Sequence, residues 1–128
     1  MANQVIKTNA APSPIGPYNQ AVKAGNLLFV SGQVAIDPAT GNLLNESVEQ
    51  EAAQVMKNLQ AILQEAGYSF SDVVKTTIFL TDMQLFGTVN EIYGSFFTGA
   101  GAYPARETVA VKGLPKNVNV EISMIAVK

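Results

Sequence analysis

The sequence predicts an α+β domain in which two helices cover one face of a single six-stranded mixed sheet. Three observations lead to this fold class: two segments have apolar residues at helical spacing, six segments carry strand signals, and a strand separates the two helices. A chain of 128 residues has the usual length of one domain. We therefore expect a single domain over residues 1–128.

The N-terminal part predicts three strands, one loop and one turn. Val5–Thr8 and Gln20–Lys23 are short and carry weak strand signals, whereas Leu27–Ile36 is longer and largely apolar. Between the first two strands, Asn9–Pro17 contains three prolines and a glycine, which indicates an ordered loop. After the third strand, Asp37-Pro38-Ala39-Thr40-Gly41 has the composition of a tight turn.

The first helix is predicted to begin at a capping box, Ser47-Val48-Glu49-Gln50, with acidic residues in its first turn. Its apolar residues recur at helical spacing and form one face: Val48, Ala52, Val55, Met56, Leu59, Ile62, Leu63 and Ala66. Gly67 is expected to end the helix because glycine adopts the left-handed conformation without a Cβ clash.

A strand, Val73–Thr81, precedes the second helix. A second box, Thr88-Val89-Asn90-Glu91, is predicted to begin that helix, and Gly99 is predicted to end it. Its inner face is predicted to consist of Val89, Ile92, Tyr93, Phe96 and Phe97.

The last two strands, Glu107–Lys112 and Val118–Val127, complete the sheet. Successive side chains of a strand point to opposite faces, so Ile125 and Val127 lie on the face opposite that of Val120. Two helices can cover only one face, and we expect the other to be buried against another subunit. A solvated face with a few tolerated apolar residues is the alternative.

The composition excludes several kinds of active site. Without histidine or cysteine, the chain cannot form Ser–His or Cys–His triads, zinc sites built on those ligands, or haem ligation, and we expect no cofactor and no metal. A net charge of −2 and a pI near 5.0 argue against nucleic acid as a partner. Only 14% of the residues are charged, which favours a subunit interface. No apolar run is long enough for a bilayer and no signal peptide is recognisable, so we expect no membrane partner and a cytoplasmic protein.

Two charged residues are the leading candidates for a functional site. Arg106 is the only arginine, and its planar fork could hold a carboxylate or phosphate through two hydrogen bonds, although a surface role is also open. Glu121 is the only charged residue within Val118–Val127 and lies on the face assigned to the interface. It could pair with a lysine or with Arg106, or it could orient and deprotonate water.

Other candidates are weaker when considered alone. Ser31-Gly32-Gln33 interrupts an apolar strand, which indicates either a bulge or the close approach of a ligand to the backbone. Asn90 is predicted to support a helix cap, and Tyr18 is predicted to pack in a loop.

Six segments, taken together and in this order, resemble the Rid family of reactive-intermediate imine deaminases. They are Ile15–Tyr18, Ser31–Gln33, Val74–Phe79, Asn90–Phe97, Pro104–Arg106 and Val120–Val127. The resemblance runs essentially end to end. It implies a chorismate-mutase-like fold and a homotrimer whose sheets form an inner barrel, with the helices outside and three sites in the clefts between subunits.

The resemblance also implies an activity, the hydrolysis of 2-iminobutanoate and 2-iminopropanoate to 2-oxo acids and ammonia. At matching positions, Arg106 would hold the substrate carboxylate and Glu121 would position the attacking water. The implied substrate-binding residues are Tyr18, Ser31, Gly32, Asn90 and Thr108.

The chain departs from the common pattern of that family directly after Pro104-Ala105-Arg106. Where the family often has Ser-Cys, this sequence has Glu107-Thr108, so a thiol has no role here. The backbone carbonyl of Thr108 could still hold a water. The departure leaves open a second function, a non-catalytic trimer that binds 2-oxo acids or regulates a partner. Ribonuclease activity is a third, against which the acidic pI and the single arginine argue.

Overall fold

The computed structural model describes residues 3–99 and 103–128, which form one mixed sheet with two helices on one face. The strands are β1 (Gln4–Ile6), β2 (Ala21–Ala24), β3 (Leu27–Gln33), β4 (Val73–Leu80), β5 (Ala105–Ala110) and β6 (Val120–Val127). The helices are α1 (Val48–Glu65) and α2 (Phe86–Ser95). The predicted fold class is confirmed. Neither helix in these ranges is long and apolar enough to cross a membrane.

The C-terminal strand lies inside the sheet rather than at its edge. The strand order is β1-β2-β3-β6-β4-β5, and β6 runs antiparallel to both of its neighbours. The pair β4–β5 is parallel, because α2 carries the chain back across the sheet between these strands. As a consequence, β5 is an edge strand, and one strand separates it from β6.

The core lies between the helices and one face of the sheet. In β6 every second residue, beginning with Val120, is buried, and β4 shows the same alternation around Ile78. From α1, the fully buried side chains include Val55, Leu59 and Ile62. The predicted inner face of α1 is therefore confirmed. So is its start, since the Ser47 hydroxyl accepts a hydrogen bond from the Gln50 N–H at 3.0 Å.

The predicted start and end of α2 are wrong. Asp82 caps a short 3₁₀ turn by accepting a hydrogen bond from the Gln84 N–H at 2.9 Å, and α2 follows directly from Phe86. The charged Asp82 cap is closer to the end of β4 than Thr88 is, so the helix begins earlier. Asn90 consequently lies in the middle of the helix rather than at its cap. The helix ends at Ser95, four residues before the predicted stop at Gly99.

Several strand boundaries also differ from the prediction, and two of the differences bear on the site. The ladder of β3 ends at Gln33 rather than Ile36, because the buried Asn58 side chain donates to the carbonyls of Val34 and Ile36 at 3.0 Å each. β5 begins at Ala105 rather than at residue 107, which places Arg106 inside the strand.

The sheet face opposite the helices is uncovered in the single chain and carries large apolar side chains. Phe29 and Val109 are each 44% exposed on it, and a Lys75–Glu107 ion pair of 2.8 Å crosses between β4 and β5. The sheet thus carries apolar side chains on both faces, as predicted from Ile125 and Val127 of β6, which lie on the face opposite that of Val120. That a second subunit covers this face stays a prediction.

A buried carboxylate, Glu51 of α1, fixes the beginning of β6. It is 0% exposed and accepts hydrogen bonds from the backbone N–H of Asn119 at 2.7 Å and of Val120 at 2.9 Å. It also accepts one from the Asn119 side-chain amide at 3.0 Å. Because Glu121 is the next residue, this contact sets where the candidate carboxylate enters the sheet.

Replacing Glu51→Leu should lower the free energy of unfolding by about 3 kcal/mol, because several buried donors lose their only acceptor. Urea unfolding followed by circular dichroism measures the change. The exposed Glu49 on the same helical turn provides the control, and Glu49→Leu should change stability by less than about 1 kcal/mol. Equal losses in the two variants would contradict the anchoring role of Glu51.

Candidate active site

The loop before β2 is held in place by one buried amide, that of Gln20. Its Oε1 accepts a hydrogen bond from the Thr8 N–H at 2.7 Å, and its Nε2 donates to the carbonyls of Thr8 at 3.0 Å and Pro12 at 2.9 Å. The predicted ordered loop is therefore present. It brings Tyr18 beside the middle of β3.

Four of the predicted site residues line one cavity, which we call the Glu121 cavity. They are Tyr18, Ser31, Gly32 and Glu121. The cavity has a volume of about 370 Å³. Apolar residues such as Ile15, Val34 and Ile36 form much of its remaining wall.

Gly32 leaves the space that the Glu121 side chain occupies. A Cβ atom at position 32 would lie 2.8 Å from Cδ and 2.9 Å from Oε2 of Glu121, closer than side chains pack. The β3–β6 register also shifts between Val30 and Gln33. The irregular register confirms the bulge interpretation, whereas the close approach of a ligand stays a prediction. In the single chain, the group that approaches Gly32 is the Glu121 carboxylate.

Ser31 and Tyr18 hold the wall of this cavity together. The Ser31 hydroxyl donates to the Asn19 carbonyl at 2.6 Å, and its backbone N–H donates to the Gln20 carbonyl at 2.9 Å. The Tyr18 hydroxyl accepts a long hydrogen bond, 3.4 Å, from the Ile15 N–H. These contacts join β3 to the loop that encloses Glu121.

The carboxylate of Glu121 is half-buried and has no partner of opposite charge among the residues that the structure describes. Within residues 3–99 and 103–128, no lysine or arginine nitrogen lies within 4 Å of it and its side chain makes no hydrogen bond. The open alternative of a lysine or Arg106 partner is therefore not met in the single chain. Burial raises the pKa of Glu121 above its ordinary value, so the group binds a proton more readily than an exposed glutamate.

Arg106 lines a different cavity, of about 390 Å³, which we call the Arg106 cavity. Asn90, Tyr93 and Tyr103 are among its other lining residues. The Cζ atom of Arg106 lies 5.1 Å from the ring centroid of Tyr93 and 5.5 Å from that of Phe86. The structure therefore brings together Asn90 and Arg106 of the predicted residues.

The two cavities lie on opposite faces of the sheet. Arg106 is paired with Thr76 of β4, which is buried beneath the helices, whereas Glu121 is paired with Phe79 on the uncovered face. Residues three apart in a regular strand point to opposite faces. Within one chain, Arg106 and Glu121 therefore do not form a common site.

Thr108 lines neither cavity but presents its backbone to the free edge of β5. The Val111 N–H donates to the Leu80 carbonyl at 2.7 Å, so odd-numbered residues of this segment bond toward β4. By alternation, the N–H and C=O groups of Arg106 and Thr108 point away from β4. The Thr108 hydroxyl is buried, and it has no hydrogen-bond partner among residues 3–99 and 103–128.

Three residues around Arg106 were not among the predicted site residues: Thr76, Phe86 and Tyr93. Tyr93 was assigned only to the inner face of α2. The spacing of seven between Phe86 and Tyr93 could have indicated one helical stripe, but the late predicted start of α2 placed Phe86 outside the helix. No sequence signal pointed to Thr76, because its role depends on the pairing of β4 with β5.

Comparisons with known proteins agree with this architecture. The family described as Endoribonuclease L-PSP matches residues 8–128. Mouse 2-iminobutanoate/2-iminopropanoate deaminase is 50% identical over 125 residues, which cover 98% of this chain and 91% of the mouse protein. Reactive Intermediate Deaminase A, chloroplastic, from Arabidopsis thaliana is 48% identical over 96% of this chain and 65% of its own length.

Among solved structures, E. coli TdcF with bound serine superimposes with a TM-score of 0.93 at 43% identity, covering 98% of each chain. Fold and sequence together place this chain in the Endoribonuclease L-PSP family. Within that family, the chain is one of the Rid proteins, whose members at about half identity include deaminases of reactive intermediates.

The raised pKa of Glu121 predicts a specific dependence of stability on pH. The folded protein holds this proton more tightly than the unfolded chain, so the group's contribution is fully present below about pH 4.5 and is lost as the pH rises through the folded pKa. Glutamine does not titrate. Glu121→Gln should therefore melt higher than the wild type at pH 8, and the difference should shrink toward pH 4. If the difference in melting temperature grew as the pH was lowered, that result would contradict a raised pKa for Glu121.

Proposed function

We propose that this protein hydrolyses 2-imino acids, including 2-iminobutanoate and 2-iminopropanoate, to 2-oxo acids and ammonia. One observation carries the proposal: among residues 3–99 and 103–128, neither the Arg106 guanidinium nor the Glu121 carboxylate forms an ion pair, and the two groups lie on opposite faces of one sheet. Each lines a cavity that contains only half of the groups needed to bind and hydrolyse a small imino acid. The activity of the mouse and plant relatives supports the reaction class.

A homotrimer would complete the site. The uncovered apolar sheet face favours burial against further copies of the chain, and a closed ring has no unsatisfied face. In such a ring, the β5 edge of one protomer would meet the Glu121 cavity of the next. Arg106 and Asn90 would then come from one subunit, and Tyr18, Ser31, Gly32 and Glu121 from its neighbour.

The substrate carboxylate is expected to bind the Arg106 fork through two charge-assisted hydrogen bonds. The backbone of Thr108, at the free edge of the same strand, lies near enough in sequence to add a further hydrogen bond to substrate or water. The bound serine of TdcF is a small molecule of the same kind, because its C2 carbon carries both a carboxylate and a nitrogen. Recognition of this kind requires a carboxylate on the substrate.

The chemistry needs neither histidine nor cysteine, because a protonated imine is already electrophilic at C2. Glu121 accepts a proton from a water molecule as the water oxygen adds to C2, which gives a tetrahedral carbinolamine. It then returns that proton to the amine nitrogen. The C–N bond breaks as the carbinolamine hydroxyl gives its proton to Glu121, which forms the 2-oxo group and releases ammonia. Glu121 passes this last proton to the ammonia, which leaves as ammonium. Burial raises the pKa of Glu121, which makes this carboxylate a stronger base toward water than an exposed glutamate.

Two other functions remain as alternatives to this proposal. A non-catalytic trimer would bind 2-oxo acids without shortening the lifetime of the imine, and the Glu107-Thr108 departure keeps this alternative open. The family description names an endoribonuclease, but the net charge of −2 and the single arginine do not favour binding a polyanion.

Arg106→Lys keeps the charge and removes the fork, so kcat/KM for 2-iminobutanoate should fall by about 10- to 100-fold. Glu121→Gln removes the proton acceptor, and its kcat should fall by about 100-fold or more. A coupled assay in which threonine dehydratase generates the imine measures both values. Lys112→Gln, a charge loss beyond the end of β5, serves as the control and should leave the rate unchanged.

Undiminished clearance of the imine by Arg106→Lys would contradict the proposed carboxylate site. Full activity of Glu121→Gln would remove this carboxylate from the mechanism. Binding of 2-oxobutanoate by the wild type with no effect on imine lifetime would favour the non-catalytic alternative.

A further inference from the structure

The positive charge of Arg106 is held by aromatic rings rather than by a carboxylate. Its Cζ atom lies 5.1 Å from the Tyr93 centroid and 5.5 Å from the Phe86 centroid, both within the range of cation–π attraction. In the ranges that the structure describes, the Arg106 side chain forms no ion pair and no hydrogen bond. The nearest ion pair in sequence, Lys75–Glu107, lies on the opposite face of the sheet.

Contact with rings has a different consequence from contact with a carboxylate. A carboxylate would occupy the planar N–H fork, the part of arginine that recognises an anion. A ring attracts the cation through its π-face and accepts few of the in-plane N–H groups. The guanidinium is therefore stabilised and oriented while its donors stay available for a ligand.

Tyr93 is itself fixed by the strand next to Arg106. Its hydroxyl donates to the Thr76 hydroxyl oxygen at 2.9 Å, and Thr76 is the register partner of Arg106 in the β4–β5 ladder. Each of the three residues therefore contacts the other two. Strand pairing joins Thr76 to Arg106, a hydrogen bond joins Tyr93 to Thr76, and a cation–π contact joins Arg106 to Tyr93. Burial raises the pKa of Tyr93, while Thr76 and the charge of Arg106 oppose that rise; the raised pKa keeps the phenol proton available for donation at neutral pH.

Phe86 contacts Arg106 but contributes little to the core. It is the first residue of α2 and is 37% exposed, whereas Tyr93 is 4% exposed. A large ring that remains this exposed is not explained by core packing. A substitution of Phe86 can therefore test its contact with Arg106 while lowering the free energy of unfolding only slightly.

We propose that Phe86 and Tyr93 are positioning residues that hold the Arg106 guanidinium ready to bind the substrate carboxylate. The inference rests on the proposed function and adds to it the residues that orient the binding arginine. An arginine side chain that is already held loses less conformational freedom when the ligand binds. Loss of a ring should therefore weaken substrate binding more than it slows the chemical steps.

The test compares Phe86→Leu, which removes the ring, with Phe86→Tyr, which keeps it. For 2-iminobutanoate, Phe86→Leu should raise KM by about tenfold with kcat changed by less than about twofold, and Phe86→Tyr should behave as the wild type. The Kd of 2-oxobutanoate, measured by titration calorimetry, should rise in parallel. Phe70→Leu is the matched control, because Phe70 packs against Phe96 and Phe97 rather than against Arg106; it should lower the melting temperature and leave KM unchanged.

An unchanged KM and Kd in Phe86→Leu would overturn the inference, as would an equal rise in Phe86→Leu and Phe86→Tyr. These outcomes leave the proposed function intact if Arg106→Lys still impairs clearance. Normal clearance by Arg106→Lys would instead overturn the proposed function and the positioning role together.

Discussion

The pleat of β4 determines on which face of the sheet the side chains of Arg106 and Glu121 lie. Thr76 holds Arg106 on the helix side of the sheet, and Phe79 holds Glu121 on the uncovered side. No side-chain rotation brings the two groups together across a packed sheet. A site that uses both would therefore have to be assembled from two copies of the chain, and the apolar uncovered face is the surface that we propose for that assembly.

In the part of the chain that the structure describes, neither the Arg106 nor the Glu121 side chain forms an ion pair. The Arg106 guanidinium rests on rings, and the Glu121 carboxylate fits into the space left by Gly32. Unpaired and partly buried charges destabilise a fold unless a ligand or partner compensates them. The buried Glu51 shows the contrasting arrangement, because its carboxylate accepts three hydrogen bonds from Asn119 and Val120.

Much of the fold could be predicted from local sequence signals, whereas boundaries set by tertiary contacts could not. The Ser47 cap and the alternation in β6 are local features, and both are confirmed. The end of β3 depends on Asn58, which lies more than twenty residues away in sequence. Similarly, Arg106 stood out as the only arginine and Glu121 as the only charged residue in its strand. Only the pairing of their strands with β4 shows that the two side chains lie on opposite faces of the sheet. The pairing of β4 with β5 also explains why no sequence signal pointed to Thr76.

Mixing two impaired variants tests the shared site most directly. Arg106→Lys and Glu121→Gln proteins are unfolded together and refolded at equal concentration, and clearance of 2-iminobutanoate is compared with that of each protein refolded alone. If the two groups come from different subunits, random assembly leaves about a quarter of the sites intact, and about a quarter of the wild-type rate should return. Sites built within single chains would show no recovery above the two separate proteins, and that result would contradict the account.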